Sequence, residues 1–223
     1  MAIQGPHLHP MILIGAIAWM VQPGYVLIEL IVAAASTVPY SFGDQTISDL
    51  GAVTCTEIVY PAGPVSVCSP LHPLLNGSFV VFGLLIAVGA LFLHRALPRG
   101  RAILAATVIW VAVGVSTVAT GLVPLDVDLG LHSLVALPSL VGAPIALAFL
   151  AVGLWASNRA LAVGLASAAA VSLLGAVVFL ATAASREWGG VWERLGFWPT
   201  YLWLPVVAGV LLRSPARSGG FRD

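Results

Sequence analysis

His72 and His132, with Asp49, Asp126 and Ser48, are the side chains of this sequence best suited to chemistry. Two neutral imidazoles and one or two carboxylates form the ligand set of a catalytic zinc ion, with one coordination position left for water. His72, His132 and Asp126 are therefore the candidate metal ligands. Asp49 could join them, and Ser48 could support a ligand from behind. The spacing is not that of an established zinc motif, since HExxH, HxxxH and paired CxxC patterns are all missing from the sequence. Two other readings stand beside the zinc ion. Each histidine can hydrogen-bond a loop carboxylate or cap a helix start, or the cluster can recognise a polar or anionic lipid headgroup. Ser48, Asp49, Asp126, Glu193 and Arg194 are the candidates for catalysis. Asn76, four residues after His72 and so on the same helical face, is a candidate for substrate binding, as are Thr117 and Thr120.

Composition sets the elements that must hold these groups. Of 223 residues, 60% are hydrophobic and 8% charged, with arginine as the only strongly basic type. A soluble domain carries about 25% charged residues. The balance argues against disorder, a nucleic-acid partner and a soluble enzyme, and makes membrane lipids the surroundings. A helix needs roughly 20 apolar residues to cross a bilayer. Six stretches qualify: 11–35, 71–93, 102–123, 133–155, 160–184 and 191–212. The alternation of a barrel strand is missing. The expected fold is an all-α, polytopic membrane bundle of six transmembrane helices in a single domain.

Orientation follows from arginine placement. Arg95, Arg99, Arg101, Arg159, Arg213, Arg217 and Arg222 fall on one side, and Arg186 and Arg194 on the other. Seven acids (Asp44, Asp49, Glu57, Asp126, Asp128, Glu187 and Glu193) share the side of the two arginines. Both termini are expected to be cytoplasmic, in the plasma membrane. The residues before position 11 carry no Lys or Arg, so the first apolar run is expected to be a retained span rather than a signal peptide. Cys55 and Cys68 share the first outer loop, 37–70, and are expected to form a disulfide in an oxidising space. A metal-binding pair is the rival reading.

Short fragments recur. Leu71-His72-Pro73-Leu74 opens span two and Leu131-His132-Ser133-Leu134 opens span four, each after an Asp-Leu-Gly at Asp49–Gly51 and Asp128–Gly130. Two related hairpins would place both histidines at equivalent helix starts. Small residues at four-residue spacing mark spans three and five as interior. Pro23 and Pro138 with Pro144 should kink spans one and four. Trp188, Trp192 and Trp198 read as an interfacial belt. Glu29, the only acid within a span, reads as paired with Gln22 or Tyr25, or as a proton relay.

At Ile47-Ser48-Asp49-Leu50-Gly51 the sequence resembles the domain-of-unknown-function family 998, whose members carry an S-D-L-G segment after the first span. The likeness extends through Tyr40-Ser41, Asn76, Gly121-Leu122-Val123-Pro124 with Asp126, Leu131-His132, Glu193-Arg194 and Trp203. It implies a six-helix integral membrane protein and little about activity. A more distant likeness is to the membrane hydrolases that include alkaline ceramidases, which set Ser, Asp and three His around zinc. The second histidine of their H-x-x-x-H pair is missing here, and six spans replace seven. Three functional classes follow: a lipid-modifying enzyme of the outer leaflet, a carrier or lipid-binding protein with a cavity beside the kinked spans, and an accessory subunit. A protein partner or a homo-oligomer is compatible with the Gly/Ala-rich helices.

Overall fold

The computed structural model describes residues 10–183 and 187–213. Arg186, Arg217 and Arg222, named above, lie outside the described residues. Among the described residues, six segments are long and apolar enough to cross a membrane. The first consists of α1 (Pro10–Met20) and α2 (Pro23–Ala34); the others are α3 (His72–Leu93), α4 (Arg101–Leu122), α5 (Leu129–Leu154), α6 (Arg159–Ala181) and α7 (Gly189–Arg213). Hydrocarbon offers backbone N–H and C=O groups no partner outside the segment, so apolar runs of this length become helices. From α3 to α7 each helix packs on the next. The first span packs on both α3 and α7 and closes the bundle. Arg95, Arg99, Arg101, Arg159 and Arg213 gather at one end. The long first loop, the α4–α5 connection and the start of α7 gather at the other, called the hairpin end below.

The all-α expectation needs one addition. The first loop contains an antiparallel hairpin of β1 (Thr56–Tyr60) and β2 (Gly63–Val67), with Pro61-Ala62 at its tip. Gly63 has φ +123°, a value that side chains with a Cβ rarely adopt. A Cys55–Cys68 disulfide joins the residues flanking the two strands. Ile58 and Val67 turn inward onto Ala52 and Leu125, so the hairpin rests on the α4–α5 connection.

Close helix approach is carried by glycine. A Cβ on Gly114 would lie 2.5 Å from the Gly83 carbonyl oxygen, and one on Gly83 would lie 2.7 Å from that of Gly114. Small residues do line the buried faces of α4 and α6. They do not make these helices interior, because Val108 and Val115 of α4 and Leu174 and Val177 of α6 are exposed along the other side. A small-residue stripe marks a contact face, which a peripheral helix needs as much as a central one.

Proline breaks are repaired by polar side chains. At Gln22–Pro23 the backbone N–H of Gln22 turns to Trp19 O, and the Gln22 side-chain amide donates to Ala18 O and Phe82 O. In α5 the helix continues past Pro138 because Ser116 of α4 inserts its hydroxyl between Ser139 and Val135. It accepts from the Ser139 N–H and donates to the Val135 carbonyl, replacing one helical rung.

Gly114→Val forces α3 and α4 apart along backbone that cannot retreat. We expect a loss at the upper end of the about 1–3 kcal/mol range for overpacking, read as a lower unfolding midpoint in detergent. Gly209→Ala, with no atom within 4 Å of the added Cβ, is the control and should match wild type.

Candidate functional site

A buried arginine organises the hairpin end. Arg194 lies in α7 and is 5% exposed, and Glu29 of α2 is 0% exposed. Arg194 Nε donates to Glu29 Oε1 at 2.8 Å, and Trp198 Nε1 donates to Glu29 Oε2 at 2.9 Å. Arg194 Nη1 donates to the carbonyls of Phe42, Gln45 and Gly190, and Nη2 to the Tyr40 hydroxyl. The guanidinium also lies over the Phe42 ring, 4.9 Å from its centroid. Gly190 is required for this approach, since a Cβ there would sit 2.2 Å from the Gln45 carbonyl oxygen. Glu29 is therefore partnered by Arg194 and Trp198, not by Gln22 or Tyr25. Both carboxylate oxygens are engaged. Trp198 is thus a donor to this pair.

The loop held down by Arg194 leads into the turn that places Ser48. Thr46 and Asp49 exchange hydrogen bonds: the Thr46 N–H donates to Asp49 Oδ2 at 2.8 Å, and the Asp49 N–H to Thr46 Oγ1 at 3.1 Å. Tyr60 of the hairpin donates its hydroxyl to Asp49 Oδ1 at 2.6 Å. The 3-10 turn Ser48–Gly51 follows. Leu50 is buried in the main core. The Gly51 carbonyl accepts from Asn76 Nδ2 at 2.8 Å, and a Cβ on Gly51 would collide with Asn76 Oδ1. Each residue of the S-D-L-G segment thus has a distinct role, and Asp49 is a brace.

Ser48 Oγ lies 2.9 Å from His132 Nε2 and 3.4 Å from Glu193 Oε1. Glu193 Oε2 accepts the Ile47 N–H, and His132 Nδ1 lies 2.6 Å from the Val123 carbonyl oxygen. A carbonyl can only accept, so Nδ1 carries the proton, and Nε2 of the neutral ring presents its lone pair to Ser48. These three side chains line one part of a cavity of about 560 Å³. Much of the remaining wall is apolar, with Leu137, Leu140, Leu180 and Phe197 and with Tyr25 stacked on Tyr201, while Thr46, Thr117, Thr120 and Ser139 add hydroxyls to it. Leu137 and Leu180 are also 41% and 46% exposed, so the cavity reaches the lipid-facing surface between α5 and α6.

The structure thus unites Ser48, His132 and Glu193 and disperses the other candidates. Thr117 and Thr120 line the cavity, with their hydroxyls bonded back to Val113 and Ser116. Asn76 serves the loop. His72 is the first residue of α3 while His132 is the fourth of α5, so the short repeat does not make them equivalent. Among the described residues, no three His, Cys, Asp or Glu side chains group as metal ligands. His132 is engaged by Ser48 and Val123. Asp126 accepts from the N–H groups of Val53 and Thr54 and from the Thr54 hydroxyl at 2.8–3.0 Å. The zinc set of His72, His132 and Asp126 is therefore not assembled. The serine–histidine contact escapes sequence spacing because 84 residues separate the partners.

Two measurements test these assignments. Removing one partner of a buried ion pair costs about 3–5 kcal/mol, so Glu29→Gln should lower the unfolding midpoint sharply. Adding Arg194→Gln should recover part of the loss, and a single variant as stable as wild type would contradict the pairing. At Asp126, burial pushes the carboxyl up, but the three hydrogen bonds from Val53 and Thr54 outweigh it and hold it below its ordinary range. Such a group stabilises the fold above its unfolded pKa, and the contribution is lost as pH falls through the lower folded value. Asp126→Asn should accordingly flatten the acid side of the stability profile, and superimposable profiles would exclude this role.

Neither a curated protein nor a solved structure matches the chain. A family model matches residues 13–210, a span that takes in the Arg194 clamp, the S-D-L-G turn and the whole cavity lining. On that match the chain belongs to the family described as proteins of unknown function, DUF998.

Proposed function

We propose that the protein binds a lipid-like amphiphile in this cavity, at the outer leaflet of the plasma membrane. The observation that carries the reading is the division of the cavity wall. Its volume lies within the roughly 300–1,000 Å³ of small-molecule sites, and such sites pair apolar walls with a few convergent polar groups. Here Ser48, His132 and Glu193 are the polar side chains of the wall that contact one another, set against the apolar residues of α5, α6 and α7. Exposed Leu137 and Leu180 at its edge give an apolar chain a lateral way in from the bilayer. The placement at the outer leaflet rests on the arginines Arg95, Arg99, Arg101, Arg159 and Arg213 at the opposite end, which the positive-inside tendency assigns to the cytoplasm together with both termini.

Photo-crosslinking tests the binding. A fatty ester carrying a diazirine in its chain should label the purified protein on α5 or α6 near the cavity. Ala136→Trp, which fills the cavity from α5, should reduce labelling at least about tenfold, in line with the loss of a site that encloses most of its ligand. Equal labelling of variant and wild type would sink the proposal.

A further inference from the structure

We infer that Ser48 is an acyl-accepting nucleophile with His132 as its general base, and that the amphiphile is a carboxylic ester. The inference rests on the cavity reading and adds a reaction to it.

The geometry satisfies the requirements of an activated serine. The Val123 carbonyl fixes the imidazole with its proton on Nδ1, the role a carboxylate plays when a third group orients a catalytic base. Nε2 is then free to take a proton from Ser48 Oγ at 2.9 Å, within the about 2.6–3.2 Å reach required of a general base. The serine is held from both sides in sequence. The Ile47 N–H is bound by Glu193, and Asp49 is braced by Thr46 and Tyr60. Ile47 and Asp49 are buried, while Ser48 between them is half-buried and lines the cavity. Glu193 Oε1 lies on the other side of the serine, 3.4 Å from Oγ.

The reaction closes without any further reagent except water. Ser48 Oγ bonds to the ester carbonyl carbon as Nε2 takes its proton. The bond from that carbon to the alcohol oxygen breaks, and His132 returns the proton to the leaving oxygen. Water, deprotonated by Nε2, then attacks the acyl carbon. The bond to Ser48 breaks, Oγ recovers a proton, and a carboxylic acid departs. The ester plus water become an acid plus an alcohol.

A long-chain alkyl fluorophosphonate tests this directly on the full-length protein in mild detergent. The expected result is a phosphonyl adduct on Ser48, formed with loss of fluoride and located by peptide mass spectrometry. His132→Gln should slow adduct formation by about 10²-fold or more, the low end of what a general base contributes. Ser48→Ala should abolish it. The wild-type protein decides the matter even if a variant fails to fold. Wild type that still captures the diazirine ester but forms no adduct on Ser48 overturns the inference and leaves the binding site standing. An adduct that forms as fast in folded His132→Gln also overturns it. Loss of ester capture in wild type removes the binding reading itself.

Discussion

A guanidinium placed among apolar helices must find an acceptor for every N–H, because the surrounding hydrocarbon supplies none. Arg194 answers that demand at Nε, Nη1 and Nη2, with one carboxylate, three backbone carbonyls that share Nη1, and one hydroxyl. The acceptors come from α2, from the loop around Tyr40–Gln45 and from α7 itself. Satisfying one cation therefore fixes three separate parts of the chain. The loop is drawn onto Gly190, the turn that follows it begins at a defined place, and Ser48 arrives beside His132 of α5. A neutral residue at 194 would release the Tyr40–Gln45 part of the first loop, while Asn76, Asp126 and Glu193 would still hold the part from Ile47 to Thr54.

The same constraint recurs at smaller scale wherever the backbone departs from regular helix. Gln22 serves the carbonyl released at the α1–α2 break, Ser116 replaces a rung of α5, and Ser172 donates to Gly196 O between α6 and α7. These three polar side chains within the spans complete backbone hydrogen bonding. Ser48, His132 and Glu193 differ in that they turn towards a cavity and towards one another.

Much of the fold can be read from the sequence because span length and apolarity are local properties. The breaks at Pro23 and the contact faces of α4 and α6 follow from single residue types for the same reason. The site is legible only in its membership. Ser48, His132 and Glu193 stand out as polar groups at one end of the spans, but their convergence depends on how α5 and α7 pack, which no spacing encodes. Glu29 shows the limit most clearly. Its neighbours in sequence suggest Gln22 or Tyr25, yet the partner lies 165 residues away. Arg194 reads as a loop charge because its helix begins a few residues earlier than its apolar stretch. The hairpin is hidden in a polar loop whose alternating Ile58 and Val67 are too few to register as strands.

The distance between Glu29 and Arg194 has a consequence for biogenesis. The chain is made from the N-terminus, so the span that carries the acid enters the bilayer before the span that carries its cation, with four spans between them. Until α7 is synthesised, the first loop has no guanidinium of Arg194 to close around. The hairpin end is consequently completed only when α7 inserts, and a chain that has threaded α1 to α6 alone carries no finished pocket.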